Sequence, residues 1–132
     1  MNNNPFIDLL GAKISHWEEQ FCEWSLNVTP RHLNSQGFLH GGVIATLLDG
    51  ACSYSGFYRP EEKVAGGAVT VSLTINYMAK LSQGRVFAKG RHIGGGKRIY
   101  FAQGELVSEE GILIAVATGS FRHNNARNSG HS

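Results

Sequence analysis

One carboxylate stands alone in an otherwise uncharged stretch. Between residues 41 and 58 Asp49 is the only charge, and nothing there alternates with period two. The stretch predicts one helix of about 17 residues, roughly 25 Å long, covered on most sides because it lacks a polar stripe. At about 100° per residue, Val43, Ile44, Leu47, Ala51 and Tyr54 fall opposite Asp49, whereas Gly42, Ala45, Thr46, Cys52, Ser53 and Gly56 surround it. The bulky flank suits packing on a sheet. The small flank leaves space for a ligand or a second backbone. An unpaired carboxylate in such a place has a pKa raised by desolvation, which is a reason to suspect function. A buried Asp bonded to backbone or hydroxyl groups fits the same pattern equally well.

His40-Gly41-Gly42 sits where that helix begins. The first N–H groups of a helix lack internal partners and carry the positive end of its dipole. Two glycines let another molecule approach that backbone closely, so a carbonyl oxygen gaining negative charge would be stabilised there. The glycines would equally serve a tight loop-to-helix turn. Spacing adds a sharper constraint. Gly41 and Asp49 lie eight residues apart, about 12 Å along one helix, whereas a polarised carbonyl and its attacker need contacts of roughly 3 Å. If both groups act on one substrate, two antiparallel copies of the helix must share it, and the protein is at least a dimer.

The elements that must position these groups follow from the patterning. A chain of 132 residues allows one domain and excludes a separate cofactor module. Residues 4–10 predict a short helix with Asn4 as N-cap and Pro5 at its first position. Cys22, Trp24, Leu26 and Val28 alternate with Glu23, Ser25, Asn27 and Thr29 as in a half-wet strand, which Pro30 ends. Residues 30–40 read as loop. Four further strands are expected over Ala68–Lys80, Gly84–His92, Ile99–Val107 and Ile112–Phe121, with hairpin turns at Gly94-Gly95-Gly96 and Glu109-Glu110-Gly111. In the first of them Val69, Val71, Leu73, Ile75 and Tyr77 form one row, and Thr70, Ser72, Thr74 and Asn76 the other. The domain is expected to span residues 1–122, with 123–132 a disordered tail that has little to bury. The sum is an α+β domain whose largely antiparallel sheet wraps one long helix.

Composition narrows the class. Lys and Arg number 12 against 10 Asp and Glu with no basic cluster, so no nucleic-acid partner is expected. No apolar run spans a membrane, and the first residues lack a basic region followed by an apolar one, so neither a membrane partner nor a signal peptide is expected. Two cysteines, Cys22 and Cys52, make no disulfide framework and suit a reducing compartment, the cytoplasm.

Asn34-Ser35-Gln36-Gly37-Phe38-Leu39-His40-Gly41-Gly42, followed by Ala45, Leu48 and Asp49, resembles the hotdog-fold acyl-CoA thioesterases, and among them the phenylacetate-degradation (PaaI-type) branch. Ile75-Asn76-Tyr77-Met78 also fits, and the likeness spans roughly residues 10–122. It implies a hotdog fold: a long central helix wrapped by a curved antiparallel sheet, joined edge to edge in a homodimer, and beyond that a homotetramer, with active sites between protomers. It implies hydrolysis of an acyl- or aryl-acyl-CoA to free acid and CoA. Asp49 then activates water or attacks the thioester itself, and the Gly41 N–H polarises the carbonyl. Asn34 and His40 orient the substrate, and Thr70 supplies a hydroxyl that positions the nucleophilic water. Asp rather than Glu at position 49 fits the PaaI-type branch and argues against the one acting in menaquinone synthesis; Met78-Ala79-Lys80 lacks the proline common after this strand.

Other chemistries fit less well. Gly96-Lys97 lacks the first glycine and the Ser/Thr of a phosphate loop, although Lys97 and Arg98, with Arg91 or Lys80, would hold CoA phosphates as point charges beside Gly42 and its neighbours at the helix start. No Gly-x-Ser-x-Gly is present, and His16, His32, His92, His123 and His131 show no metal spacing, so neither a metal nor an organic cofactor is expected. Cys52 reads as a reactive thiol or a small buried hydrophobe, and Trp17 and Trp24 as core, interface or acyl-pocket wall. Two rivals remain: a non-catalytic acyl-CoA binding module, and a hotdog dehydratase or hydratase.

Overall fold

The computed structural model describes residues 4–58 and 67–124. Its elements run α1 (Pro5–Leu10), β1 (Lys13–Glu18), β2 (Phe21–Val28), α2 (Gly41–Tyr54), β3 (Ala68–Tyr77), β4 (Gly84–Gly95), β5 (Ile99–Ser108) and β6 (Leu113–His123), with a single 3-10 turn at Pro30–His32. The strands form one antiparallel sheet in the order β1-β2-β4-β5-β6-β3, leaving β1 and β3 as its edges. This is the expected α+β hotdog arrangement.

The sheet wraps α2 because both surfaces present apolar residues at the right period. Val43, Ile44, Leu47, Leu48 and Ala51 are buried on the helix, against Trp24, Leu26, Val86, Ala88, Leu106, Ile114 and Ala117 of the strands. Each large side chain so enclosed contributes on the order of 2 kcal/mol. The helix lies flush on β4 at Gly90, where a Cβ would stand 2.2 Å from the Ala51 carbonyl oxygen. What the sheet leaves open on α2 is Gly42, which is exposed, and Ala45, Thr46 and Asp49, which are half-buried. These four fall on one lengthwise stripe at i, i+3, i+4 and i+7.

Five expectations are corrected in detail. The long helix stops at Tyr54 instead of reaching residue 58, because side chains occupy its last carbonyls: Ser55 Oγ donates to Cys52 O (2.6 Å), Tyr100 OH to Ser53 O (2.5 Å) and Trp17 Nε1 to Tyr54 O (2.9 Å). Strand β1 had no counterpart in the patterning, since an irregularity between Ile14 and His16 spaces its inward residues Ile14 and Trp17 three apart and erases the period of two. A similar irregularity between His92 and Gly94 lets β4 run on to Gly95. Strand β6 continues through Arg122 and His123, which pair with Val69 and Ala68; a ladder needs backbone, not apolar side chains. Residues 125–132 of the expected tail, His131 included, lie outside the described residues.

The fifth correction matters most for the site. In β3 the register slips between Thr70 and Ser72, so that Thr70 pairs with Phe121 and Ser72 with Ser120. Val71 is the extra residue of a β-bulge, and the row of side chains changes face across it. Thr70 therefore joins Leu73, Ile75 and Tyr77 on the side facing α2, not Ser72 and Thr74 on the outer side.

Candidate functional site

The loop before α2 is braced by bonds within itself and by two ties outward, His32 to Leu10 O and Leu39 N to Leu81 O. His32 is buried, its Nδ1 accepting from Thr29 N (2.9 Å) and its Nε2 lying 2.8 Å from Leu10 O. Asn34 Oδ1 accepts from the N–H groups of Gln36 (2.9 Å) and Phe38 (3.0 Å), and Asn34 N donates to Phe38 O (2.7 Å). The Asn34 side-chain N–H₂ takes no acceptor among the described residues. His40 N donates to His32 O (2.9 Å), which sets the entry into the helix.

His40 is the N-cap, and its Nδ1 accepts from Gly42 N at 2.7 Å. A backbone N–H can only donate, so the neutral imidazole carries its proton on Nε2 and presents it as a donor. Of the four polar backbone atoms of Gly41 and Gly42, three are taken by side chains: Gly42 N by His40, Gly42 O by Thr46 Oγ1 (2.8 Å) and Gly41 O by the Tyr77 hydroxyl (3.0 Å). The Gly41 N–H takes no acceptor among the described residues. It is one of the unpaired donors at the positive end of a helix, where a developing oxyanion is stabilised.

Asp49 lies on the open stripe two turns further on. Its Oδ1 accepts from Thr70 Oγ1 at 2.6 Å, the contact that the bulge in β3 makes available. The carboxylate is therefore not unpaired; it is half-buried with a hydroxyl on one oxygen. Cys52, the next-turn neighbour, is fully buried, and burial first, then the charge of Asp49, pushes its thiol up to about 12. It is a small hydrophobe and not a second nucleophile. Burial likewise raises the Cys22 thiol.

The structure thus brings together Asp49 with Thr70, and His40 with Gly41 and Gly42. The four candidate phosphate-holding residues are spread apart. The Lys80 ammonium lies 5.0 Å over the Phe38 ring, on the loop that carries Asn34. Lys97 and Arg98 occupy the exposed β4–β5 turn beside His123, whose N–H donates to Arg98 O (2.8 Å). Arg91 lies on the outer side of the sheet, its guanidinium 4.9 Å over Phe21, and lines a shallow groove with Lys89 and Gln103. Trp24 is core, and Trp17 stacks among Tyr54, Phe57 and Tyr58 at the far end of α2. A site contact that neither patterning nor resemblance anticipated is that of Tyr77 with Gly41. Tyr77 falls in the apolar row of β3, and its hydroxyl at the very end of that row was the available signal.

Residues 36–115 match the thioesterase superfamily, a stretch that holds His40, Gly41, Asp49, Thr70 and Tyr77. The chain belongs to that superfamily. It is similar to acyl-coenzyme A thioesterase 13 of Mus musculus, 35% identical over 100 residues that cover 74% of this chain and 68% of that protein. It is also similar to the medium/long-chain acyl-CoA thioesterase of Salmonella typhimurium, 28% identical over 130 residues covering 89% and 84%. Among solved structures it resembles a mutant of the phenylacetic acid degradation protein PaaI from Thermus thermophilus, with TM-score 0.79, 29% identity, and coverage of 90% of this chain and 98% of that one. The protein is a hotdog-fold, PaaI-type thioester hydrolase. Among the described residues no helix is long and apolar enough to cross a membrane.

Proposed function

We propose that the protein hydrolyses an acyl-CoA thioester to free acid and CoA, at sites each built from two copies of the chain. The observation that carries this reading is the placement of its two halves at opposite ends of one edge strand. Tyr77, at the end of β3, touches Gly41; Thr70, near its start, touches Asp49. When two β3 edges pair antiparallel about a two-fold axis, the end of one strand lies beside the start of the other. Asp49 of one protomer then faces the open Gly41 N–H of the other. Exposed Val69 and Val71 along that edge, and the open stripe of small residues on α2, suit such a partner.

In this site the Gly41 N–H binds the thioester oxygen as it gains negative charge. Thr70 donates to Asp49 and keeps lone pairs that accept a hydrogen bond from water, fixing that water against the carboxylate. Asp49 takes the water's proton as the C–O bond forms; the tetrahedral intermediate collapses, the C–S bond breaks, and the CoA thiolate takes that proton. Direct attack by Asp49, giving an anhydride that water then opens, uses the same atoms. The free donors of His40 and Asn34 orient the substrate, and Lys80, Lys97, Arg98 and Arg91, on separate parts of the surface, are the candidate contacts for its phosphates. The two relatives named for acyl-CoA hydrolysis support this substrate class, and the PaaI relative keeps an aryl-acyl group within it. Two free, buried cysteines support a cytoplasmic setting.

Thiol release from a panel of short-, medium-, long-chain and aryl-acyl-CoAs tests the reading, with Asp49→Ala alongside. Turnover by the parent and a loss of about 10²–10⁴-fold in the variant are expected. Absence of thiol release across the panel, or a variant within several-fold of the parent, overturns it. A dehydrated or hydrated acyl-CoA as product supports the rival hydratase chemistry instead.

A further inference from the structure

We propose that Tyr77 is a positioning residue: its hydroxyl anchors the first turn of α2 to the sheet edge and so fixes the direction of the Gly41 N–H. The inference rests on the thioesterase reading above and extends it to a residue outside the Asp49, Thr70 and His40 constellation.

The argument starts from what two consecutive glycines lack. Without Cβ atoms, Gly41 and Gly42 have a wide choice of backbone angles, and the first turn of a helix has no upstream hydrogen bonds to restrict it. A donor intended for an oxyanion must nevertheless hold its aim before the substrate arrives, because preorganisation is the source of its effect. The bonds recorded here supply that restraint from outside the helix. His40 grips Gly42 N at 2.7 Å, Thr46 grips Gly42 O at 2.8 Å, and Tyr77 grips Gly41 O at 3.0 Å. The first two come from α2 and its own cap and move with it. Among the described residues only the Tyr77 bond ties the glycines to another element, β3.

The ring contributes as well. A Cβ built on Gly41 would lie 3.5 Å from Cε1, Cζ and the hydroxyl oxygen of Tyr77, so the phenol stands over the glycine with room for no more than a methyl group between them. Within one protomer Tyr77 is 53% exposed, and that protomer's own core does not demand an aromatic there. A residue needed only to fill the sheet edge has no use for a hydroxyl aimed at that one carbonyl. Because β3 also carries Thr70, one strand holds both the group on Asp49 and the group that steadies Gly41.

Tyr77→Phe, which keeps the ring and removes the hydroxyl, is the test, with Tyr77→Leu removing both. The readouts are kcat and KM for the best acyl-CoA of the panel, and amide hydrogen exchange at Gly41, Gly42 and Val43. Tyr77→Phe is expected to lower kcat about five-fold with KM within about two-fold, to speed exchange at those amides, and to leave the melting temperature nearly unchanged; Tyr77→Leu loses more of kcat. A Tyr77→Phe enzyme with parental kcat, a defect confined to KM, or parental exchange at the three amides overturns the inference. A parent that releases no thiol sinks the thioesterase reading, while the exchange measurement still decides whether the anchor exists.

Discussion

The two halves of the site are built in contrasting ways. At the start of α2, residues 34–42 are held mostly by bonds to near neighbours in the chain, Asn34 to Gln36 and Phe38, His40 to Gly42 and Thr46 to Gly42, with two long ties added, Leu39 N to Leu81 O and the Tyr77 hydroxyl to Gly41 O. At Asp49 the single recorded partner, Thr70, is 21 residues away and faces the helix only because β3 carries an extra residue. Several bonds, most of them local and one from Tyr77, make a rigid donor; a lone tertiary contact through an irregular strand makes an adjustable carboxylate. The two jobs want those properties. An oxyanion-binding N–H is effective in proportion to its immobility, whereas an acid–base group must exchange partners during the reaction.

The sharpest way to break the contrast is to remove the donor and leave the helix standing. Proline has no N–H and is favoured at the first helical position, and His40, with φ −66 and ψ 135, already has the extended backbone that precedes a proline. Gly41→Pro is expected to fold, by circular dichroism and melting, and to lose about 10²–10³-fold in kcat. Mixed after unfolding with Asp49→Ala, it should recover roughly a quarter of parental activity, because half of the dimers are mixed and each has one intact site. No recovery would place both groups in one protomer's site.

A smaller effect is expected at the other half. Thr70→Val removes the hydroxyl on Asp49 with little change of shape, and about a ten-fold fall in kcat at nearly constant stability is expected in a steady-state assay. If the fall exceeds that of Gly41→Pro, the carboxylate end is the more tightly organised and the contrast is reversed. The smallest effect is none. With Cys52 pushed up to about 12 by burial, only about one thiol in 10⁴ is ionised at pH 8. A disulfide reagent at that pH should label neither Cys22 nor Cys52 until the protein is unfolded, and activity should survive the treatment. The sign follows from burial: a raised thiol pKa means less thiolate, hence slower exchange.

The same division explains what could be read in advance. Asn4 and Pro5 start α1, Asp49 stands out as a lone charge, and His40-Gly41-Gly42 marks a helix start, because each depends on neighbours a few residues away. A sheet wrapped on one helix followed from one apolar helix among alternating strands, and the resemblance supplied the hotdog fold. The end of α2 was not legible, since Tyr100 and Trp17 cap it from distant strands. Neither was β1, whose irregularity hides its period. Thr70 entered through resemblance alone; strict alternation turns it away from the helix, and only the bulge reverses that. Tyr77 looked like one more apolar residue, since nothing in a sequence says which carbonyl a hydroxyl will find.

The bulge at Val71 has an effect beyond aiming one side chain. A ten-residue border strand with valines 55% and 58% exposed is a template for endless lateral growth. An unmatched residue bends the strand and spoils regular pairing along that part of its length. Only a neighbour with the same kink, set symmetrically, matches the remainder. The irregularity therefore favours a closed pair over a fibre, and smoothing it by deleting Val71 would trade a self-limiting assembly for an aggregating one.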